Sequence, residues 1–461
     1  MAMLTKKPLR VRGVKKKVRF ERFSLSRKDD NALCATNSEN CECKNGVLQS
    51  GIGTRPQLDK YGVGIVNATL PSDCVFYPIA SYDTVNGNYE RYGALGNDRL
   101  YIYEPDYGEW SMFSVMGANC HALSVVDKEN RPRTAFLSEK DIELFTFGEG
   151  FEGTTVDKGT AKTRISCFQQ GRIFYVKDKY TIGYSAPHDP ADFTEDIHKG
   201  GSLTLPWEYG EIIELLRFGG NVCIVYEEGL SLLEVAPSAV DFKVTTFASQ
   251  FGKVARGSVG VCCADGEKVL FLAEQGVCAF DGKKIYAVCK NLDLAFQRVG
   301  QVCNHAAFEG KFLIEYADGE GNVCAVVIDG ETGEGYTSFA PSALSEYKGG
   351  ALCHYDGVVR SLHLHGDLPS GEKRWFQATQ VDFGVVGGKC LEGLEMEGEG
   401  EVRVVVGNGK TEKTFVCNLQ SGNASVRLNM PGEEYSIALE LGDKTKIFAI
   451  TAQIQQLRAS A

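Results

Sequence analysis

Phe218-Gly219-Gly220-Asn221-Val222-Cys223-Ile224-Val225-Tyr226 is the stretch that indicates the fold. An apolar lead-in is followed by a glycine-bearing turn and then by an unbroken apolar run. Glycine suits such a turn because it reaches positive φ without a Cβ clash. The run after the turn is short and rich in β-branched and aromatic residues. We therefore predict a central β-strand here rather than a buried helix.

The same pattern recurs along the chain at a nearly constant interval. Related turns precede apolar runs at Gly171, Gly266, Gly310 and Gly357, and successive glycines in the series are 49, 46, 44 and 47 residues apart. A β-rich period of about 40 to 50 residues is typical of propeller blades, which hold four strands each. We therefore predict an all-β chain in which residues 31–372 form a β-propeller of six or seven blades. Helix is scarce, and residues 292–299 are the one modest candidate.

The pattern changes after residue 372. Apolar residues then alternate with polar ones, as in Val402, Val404 and Val406, and glycine-rich turns separate these segments. Strict alternation is typical of antiparallel strands that bury one face and expose the other. We predict that residues 373–461 form a separate, jelly-roll-like β-sandwich.

Charge is distributed unevenly between the N-terminus and the rest of the chain. Between Lys6 and Lys28 there are eleven Lys or Arg residues and one acid, a local net charge of +10. The net charge of the whole chain is −11, so the remainder carries −21. This asymmetry indicates that residues 1–30 form a basic arm that docks on an acidic partner, while the acidic body repels nucleic acid.

The arm has two interpretations. Its composition is compatible with a solvated tail. Its apolar residues, among them Val18, also allow it to pair as a strand once a partner is present. We expect the partner-binding residues of the arm to be Lys15, Lys16, Lys17, Arg19, Phe20 and Arg22.

The sixteen cysteines indicate free thiols rather than a disulfide framework. Most lie inside apolar strand runs, where a thiol behaves as a small hydrophobic group, and no Cys-x-x-Cys motif occurs. We therefore expect a protein made in a reducing cytosol. No apolar run approaches the length needed to span a bilayer, and the first 17 residues lack the apolar core of a signal peptide.

Signals for catalysis are weak, and we expect no enzymatic activity and no cofactor. His354, His363 and His365 lie close in sequence, and a His-x-His pair on a strand points both rings to one face. No carboxylate completes a recognisable ligand set, so a polar strand face is the favoured interpretation and a metal site the alternative. Cys120 and His121 are adjacent and would point to opposite faces of a strand, which disfavours a thiol nucleophile.

Two loops of the central region carry residues suited to protein contacts. The first is Tyr184-Ser185-Ala186-Pro187-His188-Asp189-Pro190-Ala191-Asp192-Phe193, whose prolines predict a rigid connection. The second, at residues 200–210, carries aromatic side chains that would suit a protein contact. We expect Pro187, Asp189, Pro190, Trp207 and Tyr209 to bind a partner.

Two of these segments are similar to a known group of proteins. The stretch from Asn45 to Pro56 and the loop from Tyr184 to Phe193 resemble motifs of propeller-fold tail nozzle and packaged-DNA-stabilisation proteins of short-tailed bacteriophages. The resemblance implies a structural, non-enzymatic subunit of the virion tail, assembled in the host cytoplasm. It implies a nozzle, a plug or a portal-proximal adaptor: a ring of subunits, six by expectation, that contacts the portal or other tail proteins and channels or retains the genome. DNA would pass through the ring without sequence-specific binding.

An acidic body fits that expectation, because each Lys or Arg contact to phosphate adds affinity through counterion release and would retain the DNA. Two other functions stay open from the sequence. One is a cytosolic propeller scaffold for protein–protein interaction. The other is a glycan-binding or glycoside-acting propeller with an accessory sandwich.

Overall fold

The structure is a computed structural model, and it describes residues 14–25, 32–66, 69–71, 74–83, 85, 87–116, 120–138, 142–148, 152–156, 165–292, 299–355 and 357–456. Its elements are almost all β-strands, which confirms the all-β class. Three short 3-10 helices occur in the described part, at Trp207–Tyr209 (η1), Ala239–Asp241 (η2) and Lys290–Leu292 (η3). The helix candidate at 292–299 falls mainly on residues 293–298, which lie outside the described residues.

The described chain divides into two compact units. One contains residues 54–335 and 340–363. The other contains the described residues up to Gly53, residues 336–339 and residues 364–456. These boundaries differ from those expected from sequence, because residues 32–53 join the C-terminal strands instead of the propeller.

The N-terminal region contributes seven short strands. They are β1 (Lys15–Phe20), β2 (Phe23–Ser24), β3 (Leu33–Cys34), β4 (Asn37–Glu39), β5 (Cys41–Lys44), β6 (Val47–Ser50) and β7 (Ile52–Pro56). β2 and β3 pair in parallel, and the other five join larger sheets.

The described strands of the first unit form seven four-stranded blades, the higher of the two predicted counts. The first blade contains β8 (Val75–Asp83), β9 (Gly87–Gly96), β10 (Arg99–Glu104) and β11 (Glu109–Val115), and the second contains β12 (His121–Val126), β13 (Pro132–Leu137), β14 (Ile142–Gly148) and β15 (Glu152–Val156). The third contains β16 (Ser166–Gln169), β17 (Arg172–Asp178), β18 (Thr181–Tyr184) and β19 (Gly201–Thr204), and the fourth contains β20 (Ile212–Phe218), β21 (Asn221–Tyr226), β22 (Gly229–Glu234) and β23 (Lys243–Ala248). A parallel pairing of β14 with β8 joins the first two blades into one sheet.

The remaining blades complete the series. The fifth blade contains β24 (Gly260–Ala264), β25 (Gly266–Ala273), β26 (Gly276–Phe280) and β27 (Ile285–Ala287). The sixth contains β28 (Val299–Phe308), β29 (Lys311–Asp318), β30 (Val323–Asp329) and β31 (Gly335–Ser338). The seventh holds β32 (Ser342–Tyr347), β33 (Gly350–Tyr355) and β34 (Val358–Leu364), with β7 as its fourth strand.

The seven blades close into a ring, as a propeller requires. The first strand of each blade contacts the first strand of the next, from β8 through β12, β16, β20, β24 and β28 to β32, and β32 contacts β8. The last blade takes its outer strand from the opposite end of the chain, because β7 pairs with β34. This closure joins the first and last propeller segments by backbone hydrogen bonds. The predicted β-propeller is confirmed.

The turn glycines account for the sequence period. Gly171, Gly220 and Gly310 lie between the first and second strands of their blades, with φ of 74°, 82° and 75°, and Gly266, with φ of 84°, is the first residue of the second strand of its blade. Gly357 also has positive φ, yet it lies between the second and third strands of the last blade. Its place in the series was therefore wrong, and the equivalent turn of that blade contains Gly349.

The propeller core lies between neighbouring blades. One apolar cluster, for example, combines Val225 of β21 with Phe271 of β25 and Phe280 of β26. Successive residues of a strand point to opposite faces, so each central strand packs against both of its neighbours. This arrangement explains why the central strands are unbroken apolar runs instead of alternating ones.

The second unit contains two antiparallel sheets that share one hydrophobic core, together with the parallel β2–β3 pair. Its C-terminal strands are β35 (Trp375–Val381), β36 (Lys389–Glu399), β37 (Glu401–Gly407), β38 (Glu412–Asn418), β39 (Asn423–Gly432), β40 (Tyr435–Leu441) and β41 (Lys446–Gln456). One sheet has the order β39-β36-β41-β6-β5 with β1 also on β41, and the other has the order β38-β37-β40-β35-β4. The alternating Val402, Val404 and Val406 are fully buried in the shared core. The separate, jelly-roll-like β-sandwich over residues 373–461 stays a prediction.

Candidate functional site

The basic arm contains an edge strand of the second unit. β1 pairs antiparallel with β41, from Lys15 opposite Gln455 to Phe20 opposite Ile450. Because side chains alternate along a strand, three of its basic residues share the solvent face. Each of them reaches an acid on β36: the ion pairs are Lys15 Nζ–Glu392 at 2.9 Å, Lys17 Nζ–Glu395 at 3.4 Å and Arg19 Nη1–Glu397 at 2.5 Å.

The ion pairs with the acidic strand shift the pKa of Arg19 and of its partner. The hydrogen bonds that Arg19 donates to Glu397 and to Glu21 raise the pKa of its guanidinium, and the bond from Arg19 lowers the pKa of Glu397. Arg19 also donates through Nη2 to Glu397 at 2.8 Å, so this pair is bidentate. The ion pairs lie at exposed positions, where water and salt screen them. These ion pairs therefore favour one alignment of β1 on β41, but they add little to the stability of the pairing.

The opposite face of β1 turns toward the shared core. Val18 and Phe20 are partly buried against it, and the Phe20 ring lies 6.1 Å from the ring of Phe383. Lys16 Nζ donates to the carbonyl of Gly384 at 3.5 Å. The Arg22 carbonyl accepts from the Leu33 amide at 2.9 Å. The structure thus brings the six predicted arm residues together on one short segment that contacts the protein's own sheet.

The Tyr184–Phe193 loop is a rigid connection, as its sequence indicates. The Asp189 side chain accepts from the Ala191 amide at 3.2 Å, and the Ala186 amide donates to the Asp192 carbonyl at 2.7 Å. Pro190 is buried and Pro187 is half-buried. Both prolines therefore serve the packing of the loop, and Asp189 closes its turn.

Sequence reasoning did not find the residue that holds this loop in place. Arg172, at the start of β17, is fully buried and donates to three backbone carbonyls, those of Ser185 at 2.7 Å, Lys199 at 2.7 Å and Pro237 at 2.8 Å. Burial lowers the pKa of its guanidinium. A charged residue at the start of an otherwise apolar run was the available signal in the sequence.

Trp207 and Tyr209 differ in their surroundings although both lie in η1. Trp207 is 70% exposed. Tyr209 is half-buried, and its ring lies 6.1 Å from the ring of Tyr226. Trp207 is therefore available for a partner, whereas Tyr209 also packs on the fourth blade.

The three histidines have separate environments. Burial lowers the pKa of His354. His363 uses both ring nitrogens, because Nδ1 lies 2.7 Å from Glu309 Oε1 and Nε2 lies 2.9 Å from Ser361 Oγ. His365 Nδ1 lies 2.8 Å from the Ser50 carbonyl. Within the described residues no group of three or more His, Cys, Asp or Glu is placed to hold a metal ion.

Among the helices that the structure describes, none has the length and apolar content that a membrane crossing requires.

No protein-family model matches the chain, and no curated protein matches it. Among solved structures it is similar to virginiamycin B lyase from Staphylococcus aureus, at 9% identity and a TM-score of 0.41 over 68% of this chain and 99% of the lyase. It is also similar to the WD40 β-propeller domain of Doa1, at 13% identity and a TM-score of 0.35 over 71% and 90% of the two chains. The extracellular domain of BT4673 from B. thetaiotaomicron shares 10% identity at a TM-score of 0.43, over 94% and 62%. These likenesses concern the fold alone, and the chain's own residues carry the function.

Proposed function

We propose that this chain is a structural, non-enzymatic subunit of a short-tailed phage tail, which self-associates into a ring through which the genome passes. The resemblance at Asn45–Pro56 and Tyr184–Phe193 supports the setting. The net charge of −11 supports passage of DNA without retention. The observation that carries the proposal is the attachment of β1 to β41.

β1 is suited to exchange between copies of the chain. It contacts its sheet along one edge, its ion pairs are exposed, and its two apolar side chains are only partly buried. The backbone hydrogen bonds of an added strand are the same whether the strand comes from the same chain or from a neighbour. A copy that gives β1 to the next copy makes a head-to-tail contact, and such contacts close into rings when the rotation allows.

Charge reversal separates exchange between chains from pairing within one chain. One variant carries Lys15→Glu, Lys17→Glu and Arg19→Glu, so that its strand is repelled by its own acidic β36. A second carries Glu392→Lys, Glu395→Lys and Glu397→Lys, so that its β36 repels its own arm. Mixed together, each variant offers the other a complementary strand, and we expect native mass spectrometry to show mixed oligomers.

The control is a chain with all six changes, which restores pairing within one copy and between identical copies. We expect this control to assemble as the unchanged protein does. If the two variants remain monomers when mixed, and the unchanged protein is a monomer too, then the proposed ring is wrong.

The setting has its own test. We expect portal and capsid genes beside the gene for this chain, and co-expression with that portal protein to give a complex that survives size-exclusion chromatography. A chain that stays a strict monomer beside the portal protein would contradict the tail assignment.

The exposed Trp207 favours a second candidate function, a propeller scaffold that binds a protein partner. Exposed tryptophans are frequent anchors of protein interfaces. This candidate predicts a monomer that loses its partner on Trp207→Ala, whereas a tail ring keeps its oligomeric state unless Trp207 lies in the ring interface.

A further inference from the structure

The first blade carries a small cavity lined by tyrosines and charged residues. Its volume is about 290 Å³, at the lower end of the range for small-ligand sites. β9 and β10 supply most of its wall, the turn after β10 supplies Pro105 and Asp106, and the segment that follows β7 supplies the rest. All of these residues belong to the propeller unit. The cavity is separate from the arm and from the two loops described above.

The aromatic wall of the cavity is fixed before any ligand arrives. The Tyr92 ring is stacked on the Tyr347 ring with centroids 5.2 Å apart, and the buried Tyr103 supports the wall from behind at 2% exposure. The half-buried Tyr89 and Tyr92 supply the accessible aromatic surface, at a low cost in side-chain entropy. Such surface matches the C–H face of a sugar ring.

Two phenol oxygens of the wall accept hydrogen bonds from neighbouring side chains. Gln57 Nε2 donates to the Tyr92 hydroxyl at 2.7 Å. Arg91 donates to the Tyr89 hydroxyl from Nε at 3.1 Å and from Nη2 at 2.8 Å. A phenol that accepts in this way can still donate its own O–H to a ligand. Burial raises the pKa of Tyr92, so this hydroxyl keeps its proton at neutral pH.

Carboxylates supply acceptors beside these donors. Asp59 accepts from the Tyr103 hydroxyl at 3.2 Å, and Asp106 accepts from Lys60 Nζ at 3.0 Å. Hydrogen bonds lower the pKa of both carboxyls, which remain ionised. Asp59 Oδ1 already accepts from the Tyr61 and Val63 amides, and Asp106 Oδ1 from Lys60 and the Tyr61 hydroxyl, so Asp59 Oδ2 and Asp106 Oδ2 are the oxygens with lone pairs for a ligand. The cavity thus presents donors and acceptors close together, as the hydroxyls of a sugar require.

The charges disfavour ionic ligands. The two cations of the cavity are already paired, Lys60 with Asp106 at 3.0 Å and Arg91 Nη1 with Glu104 at 2.8 Å. An anionic ligand would therefore meet Asp59 without a free cation to offset the repulsion. A cationic ligand finds the acids of the lining already engaged, because Glu90 is paired with Lys348 and the charge of Asp59 is stabilised by hydrogen bonds from the Tyr61 and Val63 amides and from the Tyr103 hydroxyl. We propose that this cavity binds a neutral saccharide of one or two rings.

Saturation-transfer difference NMR on the full chain tests the proposal with a panel of methyl glycosides at millimolar concentration. The panel contains neutral hexosides and N-acetylhexosaminides, with methyl uronates and hexose phosphates as anionic arms. We expect at least one neutral glycoside to give saturation transfer and a measurable Kd, and the anionic arms to give none.

Tyr92→Phe removes one donor and keeps the ring that stacks on Tyr347. We expect it to weaken binding of the neutral glycoside about fivefold to tenfold, as loss of one hydrogen bond does. Tyr107→Phe, at an 80% exposed tyrosine of the same blade, is the matched control and leaves the Kd unchanged. An unchanged Tm for both variants shows that the fold is intact.

The proposal is overturned if no neutral glycoside binds, if an anionic sugar binds more tightly than every neutral one, or if Tyr92→Phe binds as the unchanged protein does. None of these outcomes depends on the oligomeric state, so this site and the ring proposal stand or fall separately.

Discussion

Glu315 is a carboxyl group buried in the middle of a central strand. It lies on β29 and is 5% exposed, and its Oε1 has no hydrogen-bond partner among the described residues. Burial raises its pKa to about 8. Lys311, on the same strand, forms a buried ion pair with Asp329 at 2.5 Å and keeps its charge paired. Glu315 therefore stays protonated at neutral pH. The buried Lys311 forms its ion pair with Asp329 and not with Glu315.

The raised pKa makes stability depend on pH. An unfolded Glu ionises near pH 4.3, roughly, so between that pH and about 8 the folded state holds a proton that the unfolded state has lost. This contribution to stability is full below the unfolded pKa and is lost as pH rises through the folded pKa. We expect Glu315→Gln, which needs no such proton, to gain in relative stability by about 1.4 kcal/mol per pH unit across this window.

Thermal or urea unfolding between pH 5 and pH 8 measures the effect. Glu320→Gln, at an exposed turn position of the same hairpin, is the control for the replacement of a glutamate by glutamine. A difference for Glu315→Gln that stays constant with pH would show that Glu315 is ionised in the folded protein.

At the scale of elements, β7 passes very close to the backbone of another segment at Gly53. Gly53 is the second residue of β7, and a Cβ there would fall on the backbone of Gly366. Backbone atoms cannot give way as the end of a side chain does. Only glycine therefore fits at Gly53 without moving β7.

We expect Gly53→Ala to destabilise the protein by about 1–3 kcal/mol, the usual cost of overpacking. Gly64→Ala is the matched control, because a Cβ at that residue meets nothing within 4 Å and its backbone lies outside the left-handed region. The control should be neutral or stabilise by roughly 0.4–1 kcal/mol. Urea midpoints of the two variants give the comparison, and equal midpoints would refute the close approach.

Sequence patterns predicted the elements far better than their partners. The turn glycines and apolar runs predicted the blades because both are local requirements of a hairpin. The pairing of Lys15 with Gln455 and of β7 with β34 joins opposite ends of the chain, and no local pattern encodes such a partner. The predicted start of the propeller at residue 31 differs from the structure because residues 32–53 belong with C-terminal strands that are distant in sequence. The tyrosine cavity was missed because its residues come from two separate segments, each ordinary by itself.

At the scale of the whole molecule, the burial of the cysteines reports how tightly the interior of each unit is packed. All sixteen are free thiols, and most are buried. Burial raises the pKa of Cys223 and of Cys278 to about 12, so their reactive thiolates are scarce at neutral pH. Cys263 and Cys303 are the exposed ones.

We expect a thiol reagent such as DTNB to modify Cys303 rapidly in the native protein, Cys263 more slowly because burial and the nearby Glu267 raise its pKa, and the buried thiols only after denaturation. Mass spectrometry of the partly labelled chain identifies the modified sites. The variant Cys263→Ser with Cys303→Ser is the control, and it should lose the fast phase. Fast labelling of Cys223 would mean that the blades open readily.

The closure of the ring by β7 also has a consequence during synthesis on the ribosome. Residues 57–357 separate β7 from β34, so the nascent chain exposes β7 long before β34 has been synthesised. At about 5–20 residues per second, that interval lasts on the order of tens of seconds. The first six blades each arise from consecutive strands and can form while translation proceeds. A chaperone that shields β7 until the last blade emerges would therefore raise the yield of this protein more than one that acts after release.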